Sequence, residues 1–208
     1  AFNACRRKGE SCLMKPSSDI IVSGLSKNYE NQTVLSDFSL TLAAGGSYCL
    51  MAPSGAGKTT LFQLLLGLAH PDSGTISGLS GKKISAVFQE NRLLEGYDAI
   101  TNLKFVADRT KTREQLFIFA SRLLPPESLK KPVFEFSGGM KRRLALLRAL
   151  CVSFDFLLLD EPFTGMDAAA KQAAADLILE SKKNAILLFS THDKTDAALL
   201  KSEIITIP

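Results

Sequence analysis

Ala52-Pro53-Ser54-Gly55-Ala56-Gly57-Lys58-Thr59-Thr60 is the stretch on which the fold turns. It follows a short apolar run, Ser47–Met51, and leads into residues 59–68, whose Leu, Phe and Gly content reads as a buried helix. Strand, glycine-rich loop and helix in that order form the setting in which G-x-x-x-x-G-K-[ST] holds nucleotide phosphates. Gly55 and Gly57 let backbone amides close round an anion, with Ser54, Ala56 and Thr60 completing the loop, and the helix points its positive end at the same place. Lys58 is placed to reach the outer phosphates and Thr59 to ligate Mg²⁺. Ala52 stands where the pattern has its first glycine. A Cβ there is costly if the turn needs a positive φ, but it leaves Gly55 and Gly57 untouched.

Downstream, Phe156-Leu157-Leu158-Leu159-Asp160-Glu161 is an apolar strand ending in two acids. Strand ends often carry solvated acids, so the pair gains meaning from Lys58 and Thr59: a parallel sheet brings carboxylates at a strand's C-terminal end to the edge where a phosphate loop also opens. Asp160 would then hold Mg²⁺ and Glu161 polarise the attacking water.

The rest of the chain reads as alternating units. Alternation around 19–23 and 34–42 predicts two strands separated by a polar turn at 27–32, and 71–74 reads as a further turn. Strands are expected at 84–88, 156–159, 186–190 and 204–207, and helices near 138–152, 168–181 and 195–200. Residues 100–124 read as one helical, charge-dotted stretch closed by Pro125-Pro126. The class is α/β, with a mostly parallel sheet covered on both faces and a small antiparallel β layer.

Between the two acidic and phosphate elements lies Phe136-Ser137-Gly138-Gly139-Met140-Lys141-Arg142-Arg143-Leu144-Ala145-Leu146-Leu147-Arg148-Ala149-Leu150. It resembles the signature of the ABC ATPases, L-S-G-G-Q followed by a basic helix, with Phe136 for Leu and Met140 for Gln. Ser137 can cap the helix and Gly138 and Gly139 leave amides free to meet an anion. The resemblance extends from about residue 20 to the end. It implies a P-loop NTPase core, an antiparallel β subdomain and a helical signature subdomain, with the domain spanning 19–208 and its helical insertion about 90–152.

By the same resemblance, Tyr29 stacks on adenine, Gln89 senses Mg²⁺ and water, Asp167 lies in the loop that bridges protomers, and His192 contacts the γ-phosphate. ATP and Mg²⁺ are the implied ligands. Two copies would bind head to tail, each ATP lying between the phosphate loop of one and Ser137-Gly138-Gly139 of the other. The implied role is a transport ATPase docked on transmembrane permease subunits through residues 90–102. The strings Phe88-Gln89-Glu90-Asn91-Arg92-Leu93-Leu94 and Ser137-Gly138-Gly139-Met140 are similar to importer ATPases for nitrate, sulfonate and taurine, which adds a substrate-binding protein to the expected partners.

Bulk properties agree. The chain has 208 residues, 46% of them hydrophobic, enough for one sizeable core. Its net charge of +4 leans on Arg6, Arg7 and Lys8, so no nucleic-acid partner is expected. The longest apolar runs fall short of the roughly 20 residues of a spanning helix. Cys5, Cys12, Cys49 and Cys151 show no C-x-x-C spacing, which reads as a reducing cytoplasm; the resemblance implies a peripheral location on the cytoplasmic face of the cell membrane. Residues 1–18 read as a disordered extension, with Met14 as a candidate initiator. A GTPase or small-molecule kinase would lack its N-K-x-D motif or an account of Ser137-Gly138-Gly139, and a DNA-repair ATPase its long coiled coil between Lys58 and Ser137, while an ATP-responsive module in which Ala52 and Met140 abolish turnover is separated by a phosphate-release assay.

Overall fold

The computed structural model describes residues 19–29, 32–53 and 55–207. The extension expected over 1–18 and the phosphate-loop residue Ser54 lie outside the described residues. In chain order the strands are β1 (Ile20–Tyr29), β2 (Gln32–Leu42), β3 (Ser47–Met51), β4 (Ser73–Ser77), β5 (Ile84–Val87), β6 (Phe156–Asp160), β7 (Ile186–Ser190) and β8 (Glu203–Thr206). The helices are α1 (Lys58–Leu65), α2 (Ala99–Lys104), α3 (Arg113–Ala120), α4 (Gly138–Leu150), α5 (Ala168–Lys182) and α6 (Lys194–Leu199).

Five strands form a parallel sheet in the order β5-β6-β7-β3-β8, and the others an antiparallel sheet in the order β2-β1-β4. The period of two along β6 and β7 accounts for the layering. Phe156, Leu158, Ile186 and Leu188 enter one core with Ile20, Val22 and Leu25 of β1 and with Leu61, Phe62 and Leu65 of α1. Leu157, Leu159, Leu187 and Phe189 enter a second core with Leu144–Leu147 of α4 and Ala174, Ala175 and Ile178 of α5. Both faces are therefore covered, which is why these strands read as unbroken apolar runs. Each such buried Leu or Phe contributes about 1.5–3 kcal/mol.

Because the sheet is parallel, the segments leaving β3, β5, β6 and β7 emerge at one edge. The loop 52–57, Gln89, Asp160-Glu161 and His192 are these segments' residues.

Several boundaries differ from expectation for identifiable reasons. β1 runs on through Tyr29 where a turn was expected from residue 27, because Lys27 Nζ and Asn28 N both donate to the Asp72 carboxylate at 2.7 Å. Those bonds hold the Asp72 carboxyl below its usual range, the Lys27 hydrogen bond first among the causes. They also anchor the start of β4, a Ser- and Gly-rich strand read from sequence as part of a turn; it pairs with β1 while exposing most of its side chains. α1 stops at Leu65 rather than 68, since Gly67 takes φ 67° and its N–H returns to the Leu64 carbonyl.

The single helical stretch expected over 100–124 is two helices. Asp98 caps α2 by accepting from Thr101 N, and Thr112 and Gln115 form a reciprocal capping box that starts α3. Cys49 and Cys151 are buried, and burial pushes their thiols up to about 12 and about 11, so neither is a nucleophile at neutral pH.

Candidate active site

The phosphate loop is built as its sequence requires. Gly57 precedes α1 with φ 89°, and a Cβ there would stand 2.9 Å from the Val34 carbonyl oxygen, so the position excludes any other residue. Ala52 is not among the residues with positive φ, and its side chain packs on the core shared by α1 and β1. The turn thus accepts alanine without left-handed strain. Lys58 Nζ donates to the Ala52 carbonyl at 2.6 Å and the Pro53 carbonyl at 3.1 Å, which fixes the ammonium at the loop's rim. Ala56 N closes the loop onto the Pro53 carbonyl at 3.2 Å.

Around this loop lies a cleft of about 470 Å³, lined by Gln32, Val34, Gly55, Gly57, Lys58, Thr59, Thr60, Gln89, Asp160, Glu161 and His192. Nine of the residues anticipated for phosphate, metal or catalytic work therefore share one space: Gly55, Gly57, Lys58, Thr59, Thr60, Gln89, Asp160, Glu161 and His192. Asp160 is buried, and its Oδ1 accepts from Ser190 Oγ at 2.5 Å. The same Ser190 Oγ accepts from Glu161 N at 3.0 Å. Glu161 adopts φ 49°, uncommon for a residue with a Cβ, and its Oε1 lies 3.1 Å from His192 Nε2. One acid is thereby held at the sheet edge while the other is turned toward the histidine.

Tyr29 is not among the residues lining the cleft. It lies exposed at the end of β1, opposite Gln32 in register, with Lys27 Nζ 5.3 Å from its ring centroid. Gln32 and Val34 line the cleft and were missed from sequence, since nothing in a polar-apolar strand start marks a residue as facing a ligand.

Ser137, Gly138, Gly139 and Asp167 also lie outside the cleft lining. Ser137 caps α4, its Oγ accepting from Met140 N at 3.3 Å, and both Ser137 and Gly138 are exposed. Asp167 caps α5, its Oδ1 accepting from Ala170 N at 2.8 Å. The two caps are neighbours: a Cβ built on Gly139 would overlap the Gly165 carbonyl oxygen. Gly139→Ala is therefore expected to destabilise the fold by about 1–3 kcal/mol, while Gly138→Ala, with open space around it, stays near the parent. Urea melts compare them; equal midpoints for the two variants would mean that the Gly165 loop yields.

Arg142 was read from sequence as one of three basic residues on a helix, but it is 4% exposed. Burial lowers its pKa from the ordinary guanidinium value, and the charges of Asp160 and Glu161 oppose that shift. Helical spacing was the available signal: Arg142 shares a stripe with Ala145, Leu146 and Ala149, all buried.

The described residues include no helix long and apolar enough to cross a membrane. Leu94, Tyr97, Phe105 and Phe134 are exposed nonetheless, and the Tyr97 and Phe105 rings meet edge to face at 6.1 Å. Phe134 N donates to the Glu95 carbonyl and Val133 N to the Tyr97 carbonyl, both at 3.0 Å, which ties Phe134 to the same segment.

The sequence profile described as "ABC transporter" matches residues 35–164. The taurine import ATP-binding protein TauB of Yersinia pestis bv. Antiqua (strain Antiqua) is 34% identical over 202 residues, covering 89% of this chain and 78% of that protein. The aliphatic sulfonates import ATP-binding protein SsuB of Corynebacterium glutamicum is 33% identical over 201 residues, covering 93% and 81%. Among solved structures, a dimeric bacterial ABC transporter cassette superposes with TM-score 0.78 at 22% identity, covering 90% of this chain and 94% of that one. A bacterial Atm1-family ABC exporter with ATP bound superposes with TM-score 0.79 at 20% identity; the match covers 93% of this chain and spans 37% of the exporter chain.

Proposed function

The chain belongs to the ABC transporter family as an ATP-binding subunit and ATPase, and from that premise we propose that two copies close head to tail on ATP and so power solute import through separate permease subunits. One observation carries the proposal. The cleft gathers Lys58, Thr59, Gln89, Asp160, Glu161 and His192, while the same chain's Ser137 and Gly138 are exposed outside it, with Gly139 half-buried beside them. A site missing one of its expected walls is completed by a second copy supplying it.

The reaction is phosphoryl transfer from ATP to water, governed by positioning and charge neutralisation. The amides of the loop and Lys58 hold the phosphates. Glu161 draws a proton from the attacking water, and His192 and Gln89 orient the γ-phosphate and that water.

The donors suit Mg²⁺: a Thr59 hydroxyl, a Gln89 amide and the Asp160 carboxylate are hard oxygen ligands. No group of three or more His, Cys, Asp or Glu that could cage a metal occurs among the described residues. These residues would hold an ion bound together with the nucleotide phosphates, and it would supply positive charge against the developing phosphate charge.

The relatives' names as import ATP-binding proteins support a permease partner and a place at the cytoplasmic face of the cell membrane, and support adding a substrate-binding protein to the assembly. Exposed Leu94 and Tyr97, within the 90–102 segment, with Phe105 and Phe134 beside it, favour this segment as the docking surface. The choice of solute belongs to the membrane and binding subunits.

Light scattering on Glu161→Gln protein, with and without Mg-ATP over a range of protein concentrations, tests the reading. A dimer that forms only with Mg-ATP is expected; a protein that binds ATP and stays monomeric at every concentration would overturn the shared site.

A further inference from the structure

Arg142 joins three segments that the reaction needs to act together. It projects from α4 one turn beyond the Ser137-Gly138-Gly139 surface. Its Nη2 donates to the carbonyls of Asp160 and, at 3.0 Å, of Glu161, and its Nε to the Glu161 carbonyl at 3.2 Å. Its Nη1 donates to the Phe88 carbonyl at 2.5 Å and to Asn91 Oδ1 at 3.1 Å. Those acceptors flank Gln89 on one side and carry Glu161 on the other, so a single planar group spans the ends of β5 and β6.

The guanidinium meets a specific need at Glu161. With φ 49°, this residue holds a backbone conformation that a Cβ disfavours, and such conformations persist only where the surroundings over-determine them. Two Arg142 nitrogens on its carbonyl do so from below, while Ser190 holds its amide. Only Arg offers this many donors in a fixed plane; Lys presents a compact charge on a flexible stem and Gln a single amide.

We propose that Arg142 is a positioning residue: it fixes Gln89 and Glu161 relative to one another and links both, through α4, to the signature surface that faces the partner's nucleotide. The inference rests on the shared-site reading above. Movement at the Ser137 end of α4 then reaches Glu161 of the same chain through one buried side chain, so that each site responds to occupancy of the other.

The test compares the full chain with its Arg142→Lys variant for steady-state ATP hydrolysis, equilibrium affinity for Mg-ATP and thermal melting. Expected is a fall in kcat on the order of 10–10²-fold with affinity changed by no more than about threefold, the pattern of lost positioning. Unchanged kcat in a folded variant overturns the proposal, as do kcat and affinity falling in parallel with the melting temperature. If the lysine variant does not fold, Asn91→Ala decides, because it removes one acceptor from the partly exposed loop alone: lower kcat at parental affinity supports positioning and parental kcat overturns it. A parent chain without turnover would instead remove the ATPase reading itself, an outcome distinct from an active parent matched by an equally active lysine variant.

Discussion

Glu161→Gln is expected to lower kcat for ATP hydrolysis by roughly 10²–10⁴-fold while ATP affinity stays close to that of the parent. The change keeps the size of the side chain and removes its capacity to take a proton from water. Backbone bonds that hold residue 161 in place, from its amide to Ser190 Oγ and from Arg142 to its carbonyl, involve no atom of the carboxylate. The contact with His192 Nε2 does involve Oε1, and an amide oxygen can still accept there. Binding and chemistry should therefore separate, and phosphate release measured beside equilibrium binding reads both. Turnover at full strength in this variant would assign the water-activating role to another group.

Lys58→Ala should fail differently. The ammonium lies in the cleft beside the glycine-rich loop, tethered to two carbonyls of that loop. Losing a charged hydrogen-bond donor costs about 1.5–3 kcal/mol, or roughly 10–100-fold in affinity. Because the outer phosphates carry charge in both the ground and transition states, kcat should fall as well. Titration with a fluorescent ATP analogue alongside the hydrolysis assay gives both quantities; parental affinity with depressed turnover would confine Lys58 to the transition state.

Much of the fold was legible because the decisive elements are local. Ser47–Met51 and Ile186–Ser190 were read to the residue, since parallel interior strands announce themselves as apolar runs bounded by turns. Of the cleft residues, the loop residues with Asp160 and Glu161 were named from the order of strand, loop and acid pair, and Gln89 and His192 from the family resemblance. What escaped reading depends on distant partners. β4 exists through pairing with β1 and the Asp72 bonds to Lys27 and Asn28, which join residues over forty apart. Arg142 is buried by acceptors on two other strands' ends, so its chemistry shows only when those ends meet. The split between α2 and α3 was the exception: Thr112 and Gln115 are a capping box in plain sequence, and taking the polar residues 108–115 as the exposed face of one charge-dotted helix masked it.

The separation of the Lys58 cleft from the Ser137-Gly138-Gly139 surface has a genetic consequence. In the head-to-tail pair proposed above, every site would draw its phosphate loop from one polypeptide and its signature from the other. A subunit damaged only at Lys58 still lends an intact signature, and a subunit damaged only at the signature still lends an intact loop. Two alleles that are each silent alone can therefore restore one working site when expressed together, whereas two alleles that both damage the loop cannot. A lesion's position on this chain thus determines which other lesions it can complement.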